Sequence, residues 1–484
     1  MNLSLLMDLY ELTMVAGYLR EGKQDEPAAF DLSFRRNPFE GGYAIFAGLD
    51  PALDYLENLQ FGAEELRYFE SLDLFEDAAL EWLRDFRFRG KVTAAAEGEV
   101  VFAHEPLLTV EGGLAETQLV ETALLNMINF QTLIATKAAR VALEADANAV
   151  VEFGARRAHG PDGALSASRA ARIGGARATS NLLAGQAFGL PVAGTQAHAW
   201  IMAFPDELAA FRAYAAAFPK SCILLVDTYD TLRSGLPHAI EVATELRAQG
   251  HELRGIRLDS GDLAYLSREA RRLLDDAGFP DVKILASNDL DEHVVASIRQ
   301  EGGRIDVYGV GTRLVTAAGD RGGALGGVYK LVELGGRPRI KVSADRHKST
   351  IPGRKKVWRL SETDDERHFA LDVITAAGAA PESGHRVYDP TNPIRWTVVD
   401  AGLLVEDVRS VVMEEGKRVH AAKSLDDIAA YAQAQLARLP EGCQRLLNPH
   451  VYRVSLSAEL HALREALIEA ATAALPSPAN GNGR

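Results

Sequence analysis

The chain has 484 residues, 47% of them hydrophobic, which is enough for two or three domains with sizeable cores. Its formal net charge of −15 argues against nucleic acid as a partner, since phosphate contact needs a basic face. Two cysteines (Cys222 and Cys443) cannot build a disulfide framework or a thiolate metal site, no run approaches the ~20 uncharged apolar residues that span a bilayer, and the opening MNLSLLMDLYELTM has no basic stretch before Asp8, so a soluble cytoplasmic protein with no membrane partner is expected.

Apolar residues at helical spacing predict a helix from Leu3 to about Arg20, with Tyr10 inside it. Ala28 to Phe34 reads as a strand, and Arg35-Arg36-Asn37-Pro38 with Gly41-Gly42 as a turn. Helical stretches follow at Pro51–Asn58 and Glu64–Arg84. Lys91 to Gly112, broken by Gly98 and Pro106, reads as a small β-module, and Glu116 to Ala147 as a long helix. Residues 1–145 are therefore expected to form an N-terminal α/β domain.

From Ala149 to Thr312 the pattern changes to strand, polar loop, helix, repeated every ~25–35 residues. Ala149-Val150-Val151-Glu152-Phe153 ends at Gly154-Ala155-Arg156-Arg157, and Leu190-Pro191-Val192-Ala193 at Gly194-Thr195-Gln196-Ala197-His198. Ile223 to Val226 ends at Asp227-Thr228-Tyr229-Asp230, and Leu253 to Leu258 at Asp259-Ser260-Gly261-Asp262. Val282 to Ala286 ends at Ser287-Asn288-Asp289, and Ile305 to Tyr308 at Gly309-Val310-Gly311-Thr312. This is the pattern of a parallel α/β barrel or a doubly wound sheet, in either of which ligands meet the carboxyl ends of the strands. Residues 146–345 are taken as this domain. Beyond it, Leu325 to Lys330 begins a strand, Lys341 to Lys356 is a basic stretch, and Ala422–Leu439 and Leu456–Ala473 read as helices. Residues 346–475 are assigned as a C-terminal segment and 476–484 (PSPANGNGR) as a disordered tail.

The polar residues at the strand ends suggest chemistry. Arg156, Arg157, Arg169 and Arg172 form a basic cluster in an acidic chain, suited to drawing an anionic substrate into a cleft. Gly309 and Gly311 could let backbone N–H groups approach a phosphate, with Thr312 beside them; an ordinary tight turn explains the same residues. Asp259 and Asp262 could act on ribose or metal, or simply cap a helix; Arg257, two residues before Asp259 on one strand face, favours a ligand role. Asp227, Asp230 and Asp289 occupy equivalent positions. Phe153 reads as core, and His198 as a hydrogen-bonded residue at a helix start.

The segments EFGARRAHGPDGALSASRAARIGG, GTQAHAW, VDTYDTL, RLDSGDL, SNDLDE and YGVGTRL, in this order, resemble nicotinate phosphoribosyltransferases, and the likeness extends from Asp8-Leu9-Tyr10 to Asn448-Pro449-His450. The resemblance implies an irregular parallel α/β barrel of the type II phosphoribosyltransferase kind with an N-terminal α/β domain. It implies transfer of phosphoribosyl from phosphoribosyl diphosphate to nicotinate, coupled to ATP and assisted by Mg²⁺ near Asp259. By the same likeness, Tyr10 and Phe153 would sandwich the pyridine and Arg156 would hold a phosphate. Thr195 and Arg257 would contact nicotinate, Thr312 phosphoribosyl diphosphate, and His198 would be the histidine that ATP phosphorylates. Ser180 stands where nicotinamide-using relatives carry aspartate, so it is expected to help select nicotinate, unless it merely caps the following helix. A homodimer with Tyr10 near the subunit interface is also implied. The alternatives are a nicotinamide-specific relative and a non-catalytic ligand-binding member of the fold.

Overall fold

The computed structural model describes residues 3–473 apart from 147, 344–348, 364–366 and 393. The tail from Pro476 to Arg484 and the middle of the basic stretch, residues 344–348, lie outside the described residues. The chain forms two compact units, one of Met1–Leu133 with Ala324–Arg484 and one of Ile134–Gly323.

The first unit is built on a seven-stranded antiparallel sheet. Its strand order is Arg337–Pro338, Gly327–Leu334, Pro27–Phe34, Leu108–Gly113, Lys91–Ala95, Arg409–Glu414 and Lys417–Arg418. The stretch from Lys91 to Gly112 is thus not a separate β-module. It supplies two strands to a sheet whose other members come from both ends of the sequence, a pairing that local composition does not specify. Phe30 stacks on Tyr329 of the neighbouring strand at 5.0 Å, and Leu32, Phe34, Val92, Val110 and Met413 are buried in one core. The helix expected from Leu3 begins at Leu9, and the stretch Glu64–Arg84 is two helices, Ala63–Ser71 and Asp77–Asp85, parted near Asp73 with its positive φ of 53°. Likewise, Leu456–Ala473 opens as a strand, Val454–Ser457, before the helix Ala458–Ala473.

A six-stranded, largely antiparallel sheet in the same unit holds Lys355–Ser361 and Phe369–Ala376. At its centre Arg359 is buried, donating to both carboxylate oxygens of Asp372 (3.0 and 2.7 Å), to Glu99 Oε1 at 2.5 Å and to the Val100 carbonyl. Tyr452 donates to Asp372 at 2.8 Å and Tyr431 to Glu99, so the charges are surrounded by partners. This network joins the segment after Lys355 to the strand region around Val100.

The second unit is a parallel α/β sheet. Its order is Ala178–Thr179, Ala149–Glu152, Val307–Val310, Lys283–Ala286, Gly255–Leu258 and Ile223–Leu225, all pairs parallel. The stretch expected as a buried strand at Leu190–Ala193 is reduced to one bridge, Thr179 with Val192, and Val192 is half exposed. It still extends the ladder beyond Thr179. Gln196, just past it, donates its side-chain amide to the carbonyl of Ile223 at 3.3 Å, on the strand at the opposite edge. The two edges therefore meet through a side chain, as expected of an irregular barrel with one seam that lacks a ladder. Helices cover the strands in the expected way: Leu263–Asp276 buries Leu263, Ala264, Ser267, Ala270 and Leu274, one face at helical spacing. Behind the strands Glu292 is buried against Lys137 at 2.5 Å and Arg140 at 3.0 Å. Cys222 is core, and burial pushes its thiol up to about 12.

Candidate active site

Within the second unit the strand ends bring several expected residues together. Arg257, on Gly255–Leu258, is held from three sides. Its Nε donates to Ser287 Oγ at 2.8 Å, one Nη to Thr195 Oγ1 at 3.1 Å and the Gln196 carbonyl at 3.3 Å, and the other Nη to Asp259 Oδ1 at 2.8 Å. Its guanidinium carbon lies 5.8 Å from the centre of the Phe153 ring. The ring and the guanidinium thus border the same space, the pairing a flat anionic ligand needs.

Asp259 is the hub. Burial opposes its ionisation, but the Ser287 hydroxyl, the Arg257 guanidinium and the neighbouring His198 outweigh it and hold its carboxyl below the usual range. Its backbone N–H donates to Asp227 Oδ2 at 2.7 Å, and the Ser260 hydroxyl donates to the same oxygen. The other Asp227 oxygen, Oδ1, is buried without a hydrogen-bond partner. His198 opens the short helix His198–Met202, with Nε2 3.6 Å from Asp259 Oδ2 and Nδ1 3.1 Å from the Thr228 hydroxyl. Its side chain is 41% exposed, so the imidazole is both oriented and reachable.

At Gly309 the lack of a side chain has a local use of its own. A Cβ at Gly309 would stand 2.6 Å from two atoms of the Phe153 ring, so this position must lack a side chain for the ring to lie there. Gly311 precedes Thr312, the first residue of the short helix Thr312–Val315. Asp262 is exposed and caps the helix Leu263–Asp276 through Tyr265 N at 2.9 Å, and Asp230 caps its own turn through Leu232 N and Arg233 N. Asp289 is exposed beside Asn288, both with positive φ.

The basic cluster divides. Arg156 and Arg157 are exposed in the turn Ala155–Arg157, whereas Arg169 is buried in the helix Gly160–Ile173 and Arg172 donates to the Ala176 carbonyl. Helical spacing places Arg169 toward the core, which composition alone does not reveal. Ser180 is exposed at a strand end, and the helix cap is its neighbour Asn181, whose side chain accepts from Leu183 N and Ala184 N. Tyr10 lies in the first unit, 43% exposed, and desolvation with Glu121 and Glu11 nearby pushes its phenol upward.

Several residues of the site were not singled out from sequence. Ser287 touches both Arg257 and Asp259, Thr228 orients His198, and Gln196 presents a carbonyl to Arg257. Glu152, fully buried, accepts from Gly154 N, Ser168 at 2.8 Å and Thr179 at 2.6 Å, tying the loop after Phe153 to two neighbouring elements. For each the available signal was only its place at the end of an apolar strand.

A parallel sheet whose strand ends gather a guanidinium, carboxylates, a histidine and an aromatic face defines an α/β protein with a small-molecule site of the strand-end kind. Three family models match the chain: the nicotinate phosphoribosyltransferase N-terminal domain over residues 5–129, the nicotinate phosphoribosyltransferase family over 148–369, and the nicotinate phosphoribosyltransferase C-terminal domain over 354–464. The nicotinate phosphoribosyltransferase of Bacillus subtilis (strain 168) is 45% identical, over 95% of this chain and 94% of its own. The crystal structure of human nicotinic acid phosphoribosyltransferase superposes with a TM-score of 0.83 at 34% identity, covering 95% of this chain and 99% of that one. A nicotinate-nucleotide pyrophosphorylase structure from Pyrococcus furiosus, at 23% identity and a TM-score of 0.70, shares the fold. This chain belongs to the nicotinate phosphoribosyltransferase family.

Proposed function

We propose that this chain transfers the phosphoribosyl group of phosphoribosyl diphosphate to the ring nitrogen of nicotinate, releasing diphosphate, with ATP as a coupled co-substrate. The carrying observation is Arg257, oriented by Thr195, Ser287 and Asp259 and bordering the Phe153 ring. A guanidinium beside an aromatic face suits a planar carboxylate-bearing pyridine. A nicotinamide site would gain from an acceptor in place of Ser180, which here offers a hydroxyl.

The reaction breaks the bond from the anomeric carbon to diphosphate as the nitrogen attacks, through a transition state of oxocarbenium character. Asp259, held ionised, can stabilise that charge or bind ribose hydroxyls; Gly311 and Thr312 would take phosphate oxygens, with Arg156 at the rim. Asp262 serves the site by capping the helix that follows Asp259. Asp227 and Asp259 suit Mg²⁺, which takes one or two carboxylates together with water and phosphate oxygens, and the orphaned Asp227 Oδ1 fits such a use. When bound, the ion would offset phosphate charge.

His198 would take the γ-phosphoryl group: an imidazole nitrogen attacks phosphorus, the bond to the ADP oxygen breaks, and water later cleaves the phosphoimidazole to inorganic phosphate. Its hydrolysis would draw the transfer forward. A cytoplasmic homodimer with Tyr10 at the subunit interface completes the reading; among the described residues no helix is long and apolar enough to cross a membrane. The test is nicotinate mononucleotide formation with and without ATP in wild type and His198→Ala. The variant is expected to lose ATP stimulation and ATP hydrolysis and to keep slow ATP-independent transfer. Stable phosphate on the variant after incubation with γ-labelled ATP would reject His198 as the acceptor.

A further inference from the structure

Ser287 occupies an unusual position between the two charged residues of the site. Its hydroxyl accepts from Arg257 Nε at 2.8 Å and donates to Asp259 Oδ1, while Arg257 and Asp259 also bond directly at 2.8 Å. The three groups close a ring of hydrogen bonds in which every proton has one direction. A hydroxyl can accept and donate at once, and neither a second carboxylate nor a second cation could fill that place. The side chain is 4% exposed, so water is not at hand to replace it.

The backbone that carries Ser287 supports the same purpose. Its N–H donates to the Leu258 carbonyl at 3.0 Å, which seats it one strand away from Arg257 and Asp259. Immediately after it, Asn288 and Asp289 both take positive φ, 87° and 43°. Two successive non-glycine residues in that region are costly and persist where surrounding structure over-determines them, commonly at functional sites. The strained turn follows directly on Ser287, the first residue past the strand Lys283–Ala286, and keeps its hydroxyl within reach of both charges. On the far side, Gly309 lies in ordinary contact range of the Ser287 Cβ, and an added Cβ there would collide with the Phe153 ring.

Resting on the reading above, we infer that Ser287 is a positioning residue for nicotinate recognition: its bond to Nε completes the set that fixes the Arg257 guanidinium beside the Phe153 ring. Without the hydroxyl, Nε of Arg257 loses its acceptor and Asp259 loses a donor. The two side chains would then be joined by their direct contact alone, and the guanidinium would be held only through its Nη groups, by Asp259, Thr195 and the Gln196 carbonyl. Nicotinate binding should suffer more than phosphoribosyl diphosphate binding, because Arg257 would meet the pyridine carboxylate while Thr312 and the glycine turn meet phosphate.

The experiment uses the full chain and compares Ser287→Ala with Ser287→Cys, a near-isosteric replacement whose thiol is a poor hydrogen-bonding group. Steady-state kinetics at saturating ATP are measured against each substrate in turn, with thermal unfolding as a check on folding. Both variants are expected to raise the KM for nicotinate about tenfold or more, as befits a lost hydrogen bond to a charged group, with the KM for phosphoribosyl diphosphate nearly unchanged. Wild-type behaviour in Ser287→Cys alongside a defect in Ser287→Ala would show that the side chain only fills space and would overturn the inference. An equal rise in both KM values would overturn it too. Unchanged nicotinate KM in both variants, with normal wild-type turnover, defeats this inference alone; no turnover of nicotinate by the wild type defeats the functional reading and the inference with it.

Discussion

Two arginine–aspartate pairs in this molecule use the same chemistry for opposite ends. Arg359 and Asp372, in the first unit, are 2% and 0% exposed, and the guanidinium spends its donors on Asp372, Glu99 and a carbonyl between the rings of Phe102 and Phe369. Arg257 and Asp259, in the second unit, meet through one contact, with the remaining bonds made to hydroxyls and a carbonyl and with Asp259 facing His198. The fully buried pair, with a second carboxylate on the same guanidinium, holds segments together. The pair at the strand end, whose side chains are 14% and 26% exposed, can be reached by a ligand. The difference lies in the neighbours and not in the residue types, so an ion pair by itself signals neither role.

Removing Arg359 should cost the most. Arg359→Ala leaves the carboxylates of Asp372 and Glu99 buried without their cation, a loss on the order of 3–5 kcal/mol. Glu105, which burial and the adjacent Asp372 already push well above the usual carboxyl range, shows how poorly that region tolerates further negative charge. Denaturant unfolding should show an early transition. A stability close to wild type would mean that the network is dispensable.

Glu11 is a third case, a buried carboxylate held by an amide and a hydroxyl donor. Its Oε1 accepts from Thr122 N at 2.9 Å and from the Thr122 hydroxyl, while Oε2 is buried without a partner. Burial outweighs the Thr122 bonds and pushes its pKa from 4.5 up to about 7. The folded state therefore resists an ionisation that the unfolded chain undergoes freely. Wild-type stability should fall as pH rises from about 4.5 through about 7, by roughly 3 kcal/mol at most, and level off above that. Glu11→Gln keeps an acceptor for Thr122 and cannot ionise. Its unfolding midpoint should match wild type near pH 5 and exceed it near pH 8; a constant difference across that range would contradict the account.

Smaller changes are expected at the strand-end pair. Arg257→Ala should leave unfolding nearly unchanged and raise the KM for nicotinate by an amount worth roughly 1.5–3 kcal/mol. Thr312→Ala should act mainly on phosphoribosyl diphosphate. If each variant affected both substrates equally, the two residues would have a general structural part instead of separate ligands. A loss of stability in Arg257→Ala as large as that in Arg359→Ala would erase the contrast between the pairs.

Short-range physics made much of the second unit legible from the chain alone. The repeated apolar runs placed the strands, and Asp262 marked a helix start because a cap bonds to an N–H three residues ahead. The strand-end positions of Arg257, Asp259 and His198 followed from the same periodicity, and the ordered segments identified the family. Only tertiary structure decided which of those residues meet. Ser287 lies 30 residues from Arg257, and Arg359 lies 260 from Glu99. Such contacts depend on which strands become neighbours, and neighbouring strands here come from distant parts of the chain, as when Gly327–Leu334 pairs with Pro27–Phe34. The same reason separates Arg169, turned into the core, from Arg156, left exposed. Residue type and local period set the elements, while burial and the partners each charge meets, which arise only when the elements pack, divided the charged residues between holding the fold and serving the site.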